Sequence, residues 1–328
     1  MRTAVVLLAL VPLACQRDVA IDPAQLDAFA PLPSVMASAD NPVTPAKVEL
    51  GRRLYYETQL SADGNHSCNS CHPLDGYGAD HETVSTGVKD QRGGRNAPTV
   101  YNAAGHIAQF WDGRAATVEE QAKGPILNPV EMAMPDAHAV MARLARIPGY
   151  RAAFAAAFPG ERNPMTYDNL GKAIGAFERE LVTPSRWDAF LNGTDTALTN
   201  AEKVGLQEFL AAGCPACHNG SYLGGTMFQK AGTARPWPDR ADPGRYALTK
   251  NPADSLVFKV PGLRNVERTA PYFHDGQVAR LDDAVRLMAR HQLGKELTDS
   301  QVAAVVAWLG ALTGTIPADY IAPPKTAD

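Results

Sequence analysis

Hydrophobic side chains recur at helical spacing along much of the chain, and no segment shows the sustained alternation that is typical of a strand. Val48, Leu50, Leu54 and Tyr55 fall near every third or fourth position, which predicts a helix over 45–58. The same periodicity predicts helices over five further segments: 136–146, 150–158, 167–182, 281–292 and 298–312. The pattern therefore predicts a mainly α fold.

Two helix starts carry a capping box, in which a Thr and an acidic or amide residue three positions later bond each other's backbone N–H groups. Thr199 and Glu202 mark one start, and Thr298 and Gln301 mark the other. Between them, residues 219–262 contain many Gly and Pro residues, which predicts a long irregular loop.

The composition is that of a soluble globular protein. The chain has 328 residues, of which 45% are hydrophobic and 20% are charged, and its formal net charge is −4. This length accommodates two domains of ordinary size. Because the net charge is small and no basic stretch occurs, we expect no nucleic-acid partner.

Residues 1–15 predict a secretory signal peptide. Arg2 precedes an apolar run over Ala4–Ala14, as in the hydrophobic region of such signals. Cys15 follows directly, which favours a lipoprotein signal and a lipid anchor at Cys15; in the alternative interpretation, Cys15 is removed with the signal. Both interpretations predict a periplasmic protein, in which the Pro-, Ala- and Asp-rich segment 16–43 forms a linker or arm.

Two Cys-x-x-Cys-His sequences dominate the chemistry of the chain. The first haem motif is Cys68, Cys71 and His72, and the second haem motif is Cys214, Cys217 and His218. This spacing is the attachment signature of a covalent c-type haem, with the His as a ligand of the iron. A zinc site leaves the adjacent His unexplained in both copies, and a thiol redox site needs only one pair. We therefore predict two covalent haem c groups and electron chemistry.

The two haem motifs begin an internal repeat. Each is followed by an Arg-Asn pair, then by a Phe-x-Asp-Gly stretch, and then by a helix with two acidic residues. The first copy has Arg95–Asn96, Phe110–Gly113 and Glu119–Glu120, and the second has Arg264–Asn265, Phe273–Gly276 and Asp282–Asp283. The repeat predicts two cytochrome c-like domains, 44–183 and 184–328, each with one covalent haem and a boundary near Pro184.

Four stretches around these motifs resemble a known family. They are Arg95–Asn102, Gln109–Arg114, Glu120–Pro125 and Thr269–His274. In this order, with two haem motifs among them, they are similar to the bacterial dihaem cytochrome c peroxidase family, over about 45–314. The resemblance implies an enzyme whose N-terminal haem reacts with peroxide and whose C-terminal haem, of higher potential, accepts electrons from a donor protein.

The resemblance also assigns roles to single residues. His72 and His218 match the proximal iron ligands, and Met288 matches a thioether ligand of the electron-accepting haem, a ligand that raises a haem potential. Four further matches are Glu131 as the distal acid–base residue, Gln121 as a hydrogen-bond partner of peroxide, Trp111 as the aromatic residue between the haems, and an interhaem Ca²⁺ site of Asn96 with the carbonyls of Thr269 and Pro271. Family members are usually homodimers.

One position departs from the pattern of the best-known members. They carry a His before the Arg-Asn-Ala-Pro stretch, which blocks the peroxidatic iron until the other haem is reduced. Val88 stands at that position here, and valine cannot bind iron. His81 can replace it only if the loop is rearranged. We therefore predict an open sixth position at the first haem and no need for reductive activation.

These features favour a periplasmic peroxidase that reduces hydrogen peroxide with electrons from a small cytochrome c or cupredoxin. Two alternatives stay open. Val88 is also compatible with an oxidase of protein side chains, similar to the dihaem enzyme that matures tryptophan tryptophylquinone. A dihaem electron carrier without a substrate is the third hypothesis, and it predicts two six-coordinate irons.

Overall fold

The structure is a computed structural model that describes residues 18–324. The predicted signal peptide and the predicted lipid anchor at Cys15 lie outside these residues. Within the described part, no helix combines the length and the apolar character that crossing a membrane requires.

Helices dominate the fold, as the periodicity predicts. They are α1 (Pro45–Tyr55), α2 (Cys68–Cys71), α3 (Val118–Leu127), α4 (Ala137–Leu144), α5 (Tyr150–Ala157), α6 (Tyr167–Glu178), α7 (Arg186–Leu191), α8 (Asn200–Ala212), α9 (Tyr246–Thr249), α10 (Leu281–Leu287), α11 (Asp299–Gly310) and α12 (Ala318–Ile321). A π-helical turn, Met288–Gln292, continues α10. The six helices predicted from periodicity are confirmed, and both capping boxes are formed.

The segment 219–262 is less irregular than its Gly and Pro content predicts. Strands β1 (Phe228–Lys230) and β2 (Val257–Lys259) pair antiparallel in it, and α9 lies between them. Each strand has only three residues, and a long connection separates them. Neither the period-two alternation nor the tight-turn signal of a hairpin is therefore present in the sequence.

Each half of the chain has its own buried core, built on one close helix pair. Helix α1 crosses α6 in the first half, where a Cβ on Gly51 would lie 2.0 Å from the carbonyl oxygen of Ala173. Helix α8 crosses α11 in the second half, where a Cβ on Gly205 would lie 1.9 Å from the carbonyl oxygen of Ala304. In both cores, therefore, a glycine allows two helix backbones to approach each other closely.

The internal repeat is present in the structure, with one correction to its alignment. Asn102 and Asn265 both have a left-handed backbone, with φ of 61° and 62°. Each side-chain oxygen accepts a backbone N–H, from Thr183 at 3.1 Å and from Gly314 at 2.9 Å respectively. Asn102 is therefore the counterpart of Asn265, and the sequence-based pairing of Asn96 with Asn265 is wrong. A shared Arg-Asn dipeptide does not reveal which Asn adopts this conformation.

The Phe-x-Asp-Gly stretches are counterparts, as predicted. Phe110 and Phe273 have positive φ values of 66° and 69°. Each is enclosed by one isolated bridge, Gln109 with Ala115 in the first copy and Tyr272 with Val278 in the second. The residues that follow, Trp111 and His274, therefore occupy equivalent places.

The segments outside the repeat cross between the two cores. In the arm, Phe29 packs edge-to-face on Trp187 of the second core, with ring centroids 5.5 Å apart. Farther along, the backbone of Met36 is bonded to Arg179, at the end of α6. Tyr320 of α12 returns to the first core and stacks on Phe177 at 5.1 Å. The division at Pro184 stays a prediction, because both cores share these crossing segments.

Candidate active site

The first haem motif forms one helical turn that presents His72. Nδ1 of His72 lies 3.1 Å from the carbonyl oxygen of Gly78. A carbonyl only accepts, so Nδ1 carries the proton and the lone pair resides on Nε2, the form that binds a metal. Burial lowers the pKa of His72, which favours this neutral imidazole.

The second haem motif repeats this arrangement. Nδ1 of His218 lies 3.1 Å from the carbonyl oxygen of Leu223, and burial lowers its pKa as well. The four cysteines of the two motifs form no disulfide, so their thiols are available for thioether bonds. The residues present therefore fit two covalent haems.

A large cavity, lined by residues of both halves, contains the second haem motif. This interface cavity is lined by Cys214, Cys217 and His218, and by Met288, which begins the π-helical turn. Such turns are rare and are frequent at functional sites. The structure thus places the predicted thioether ligand in the same cavity as its predicted haem.

A second cavity, the distal cavity, contains Glu131. It is lined by Phe110, Arg114, Ala115, Ala116, Glu120, Gly124, Pro125, Asn128 and Glu131. The Asn128 side chain donates a hydrogen bond of 2.5 Å to Oε1 of Glu131. Burial raises the pKa of Glu131, while the charge of Arg114 and the bond from Asn128 oppose that rise. The charge of Glu131 also adds to the burial that raises the pKa of Cys71, so the carboxylate lies near the first haem motif.

Gln121 is not among the residues that line the distal cavity, although its neighbour Glu120 is. The sequence reasoning also missed Asn128 and Arg114. Arg114 is the last residue of one stretch that carries the family resemblance, and Asn128 lies three positions before Glu131. Those positions were the available signals, but only the fold shows that the Asn128 amide bonds the Glu131 carboxylate and that Arg114 lines the same cavity.

Val88 packs directly against the loop that carries Glu131. Val88 is 2% exposed, and its backbone N–H donates to the carbonyl oxygen of Glu131 at 2.9 Å. His81, in contrast, is exposed, and its Nδ1 lies 3.1 Å from the carbonyl oxygen of Ala270 in the other half. The segment 81–88 therefore places a valine, which cannot bind iron, beside the loop that carries Glu131. Its histidine, His81, contacts the other half instead.

Trp111 lies at the contact between the two halves and lines the interface cavity. Its Nε1 donates to the carbonyl oxygen of Asn96 at 2.9 Å, and its ring meets His274 edge-to-face at 6.3 Å. These contacts hold the indole at the contact between the halves, and its role between the two haems stays a prediction.

Asn96, Thr269 and Pro271 line the same interface cavity. The Asn96 amide nitrogen donates to the carbonyl oxygen of Glu82 at 2.9 Å, which leaves its side-chain oxygen as a possible ligand. Within residues 18–324, no cluster of three or more His, Cys, Asp or Glu side chains is suited to a metal. An amide and two backbone carbonyls would be a different kind of site, with the oxygen ligands that Ca²⁺ prefers, and a Ca²⁺ site here stays a prediction.

Comparisons with known proteins agree with this geometry. A model of the family described as di-haem cytochrome c peroxidase matches residues 45–196. A cytochrome c551 peroxidase of Pseudomonas aeruginosa is 45% identical over 88% of this chain and 85% of its own length. One of Nitrosomonas europaea is 44% identical over 90% and 91%. The methylamine utilization protein MauG of Methylophilus methylotrophus is 31% identical over 86% of each chain.

Solved structures show the same relationship. The crystal structure of a MauG-like protein associated with microbial copper homeostasis matches with a TM-score of 0.78 and 29% identity, covering 89% of this chain and 97% of that one. The family implies two c-type haems and oxidoreductase chemistry. The sequence and the fold together establish that the chain belongs to the di-haem cytochrome c peroxidase family.

Proposed function

We propose that this protein reduces hydrogen peroxide to water in the periplasm, with electrons from a small cytochrome c or a cupredoxin. The observation that carries the proposal is the half-buried Glu131 carboxylate, which lines a cavity near the first haem motif and accepts a hydrogen bond from Asn128. The relatives named cytochrome c551 peroxidase support the same reaction.

Glu131 performs the proton chemistry of this reaction. Cleavage of the peroxide bond requires that a proton leave one oxygen and reach the other, so that water can depart. A bound haem supplies the peroxide-binding iron and the electrons. Burial raises the pKa of Glu131 toward neutral pH, and a carboxyl with such a pKa can both accept and return a proton. The role of Gln121 in binding peroxide stays a prediction, since Asn128 is the amide that contacts Glu131.

Peroxide reaches the first haem without prior reduction of the second. Val88 supports this part of the proposal, because its buried side chain packs beside the Glu131 loop and offers no ligand. His218 and Met288 would hold the haem that accepts electrons from the donor, and Trp111 would carry those electrons across the contact between the halves. Asn96, Thr269 and Pro271 would hold a Ca²⁺ ion between the halves, and we expect a homodimer.

A side-chain oxidase is the second candidate function. The similarity to MauG favours it, and so does the valine at position 88, where the best-known peroxidases carry a histidine. The higher identity to cytochrome c551 peroxidases and the position of Met288 in the interface cavity favour the peroxidase.

Spectra of the oxidised holoprotein, before and after peroxide, test the proposal. We expect one high-spin haem beside one low-spin haem by electron paramagnetic resonance, and a fast optical change on adding peroxide. Steady-state turnover with a reduced small cytochrome c then separates the peroxidase from the side-chain oxidase. Two low-spin haems that peroxide does not alter would overturn both enzyme functions.

A further inference from the structure

Two equivalent backbone hydrogen bonds join the two halves, and each half supplies the donor in one of them and the acceptor in the other. The backbone N–H of Asn96 donates to the carbonyl oxygen of His274 at 2.9 Å. The backbone N–H of Lys259 donates to the carbonyl oxygen of Trp111 at 2.8 Å. Since Trp111 and His274 are counterparts in the repeat, Asn96 and Lys259 are counterparts as well.

These two counterparts differ in charge. Asn96 offers a neutral amide at the proposed Ca²⁺ position, whereas Lys259 carries an ammonium group. Lys259 is 7% exposed. Among residues 18–324, no carboxylate shifts the pKa of Lys259, which burial alone lowers, and the hydrogen-bond partner of its Nζ is Nδ1 of His106 at 3.0 Å. Lys259 is therefore a buried cation without an anion from the described protein.

His106 holds the ammonium in place. A Cβ on Gly225 would lie 2.1 Å from Cδ2 of His106, and Tyr222 meets the imidazole edge-to-face at 5.7 Å, so the ring has little room to turn. Burial and the charge of Lys259 hold the pKa of His106 well below its usual range, so the ring is a neutral acceptor. An ammonium has three donors, so two are left after the bond to His106.

Both residues face the interface cavity, which also contains the second haem motif. A buried charge is strongly unfavourable unless an opposite charge accompanies it. Burial lowers the pKa of Lys259 to about 8, and an anion on the group that fills this cavity would oppose that shift and keep the ammonium charged. The anionic groups on the periphery of haem c are its two propionate carboxylates.

We propose that Lys259 binds a propionate carboxylate of the haem attached at Cys214 and Cys217. Lys259 is then a fixed cation at the position that Asn96 occupies in the first half. The inference rests on the proposed second haem. Lys259 thus replaces, on one side of the repeat, the positive charge that a Ca²⁺ ion supplies on the other. Because a nearby positive charge disfavours the ferric state, Lys259 raises the potential of the second haem, in the same direction as the Met288 thioether.

Midpoint potentials of the holoprotein test this inference. We compare wild type, Lys259→Gln, Lys259→Arg and the exposed control Lys250→Gln by spectroelectrochemistry, after verifying two covalent haems by mass. We expect Lys259→Gln to shift the reduction equilibrium of the second haem about tenfold toward the ferric form, which is about 59 mV for one electron. Lys259→Arg keeps the charge and should stay near wild type, as should Lys250→Gln.

An unchanged potential in Lys259→Gln would overturn the inference. So would equal losses in Lys259→Gln and Lys259→Arg, because a purely structural role predicts that result. If Lys259→Gln does not fold, redox-induced infrared spectra of wild type and Lys259→Arg decide: carboxylate bands must differ between an ammonium and a guanidinium partner, and identical bands refute the contact. A wild-type protein without a haem at the second motif would refute the proposed function instead.

Discussion

Replacement of Glu131 by glutamine tests the proposed chemistry most directly. The change keeps the size of the side chain and a carbonyl oxygen that can accept the 2.5 Å hydrogen bond from Asn128. It removes the ability to accept a proton. Acid–base catalysis by a placed side chain contributes about 10²–10⁴-fold. The second-order rate of the oxidised protein with peroxide should therefore fall by that factor, which corresponds to about 3–5 kcal/mol of activation free energy.

Stopped-flow mixing with peroxide measures this rate across a range of pH. Because burial raises the pKa of Glu131, the wild-type rate should rise with pH through a midpoint above the ordinary glutamate value of 4.5. That midpoint should vanish in Glu131→Gln. The control Glu49→Gln removes an exposed carboxylate on α1 and should change neither rate nor midpoint. A loss smaller than about tenfold in Glu131→Gln, with the wild-type pH profile retained, would refute the acid–base role.

Three further predictions address the surroundings of the site and the fold. Arg114→Met removes a charge that opposes the raised pKa of Glu131, so the pH–rate curve for peroxide should move to higher pH. Gly205→Ala places a Cβ 1.9 Å from a carbonyl oxygen of α11 and should lower the free energy of unfolding by about 1–3 kcal/mol in denaturant titrations, whereas Gly94→Ala, which faces open space, should not. Burial raises the pKa of Glu178 to about 8, so its folded form holds a proton that the unfolded chain releases above about 4.5. Stability should therefore fall as pH rises from about 4.5 to about 8 and level off above that range, and thermal unfolding at the two ends of the range should show a smaller fall in Glu178→Gln.

The helices and the haem motifs could be predicted because each depends on local sequence. Helical periodicity identified the segments that became α1, α4, α5, α6 and α11. The pairing of β1 with β2 could not be predicted, since the two strands are short and meet only through tertiary packing. The pairing of Asn96 with Asn265 failed for a related reason: the left-handed backbone that identifies Asn102 is a property of the fold.

The candidate site shows the same limit. Glu131 and Met288 could be proposed because the resemblance, which runs over about 45–314, matches each of them to a functional residue of the family. Asn128 and Arg114 contact or influence Glu131 only after the loops have folded together. Lys259 lies far from His106 in the sequence, and no local pattern indicates that the two side chains meet.

The crossing segments have a consequence for how the duplicated halves can be separated. Phe29 of the arm covers Trp187 in the second core, while Tyr320 of α12 covers Phe177 in the first. A fragment cut at Pro184 would expose Phe177, and its complement would lose the aromatic contact from Phe29. Exchange of one half with that of a related protein should therefore also carry over the short segment that packs on that half, Phe29 for the second core or Tyr320 for the first.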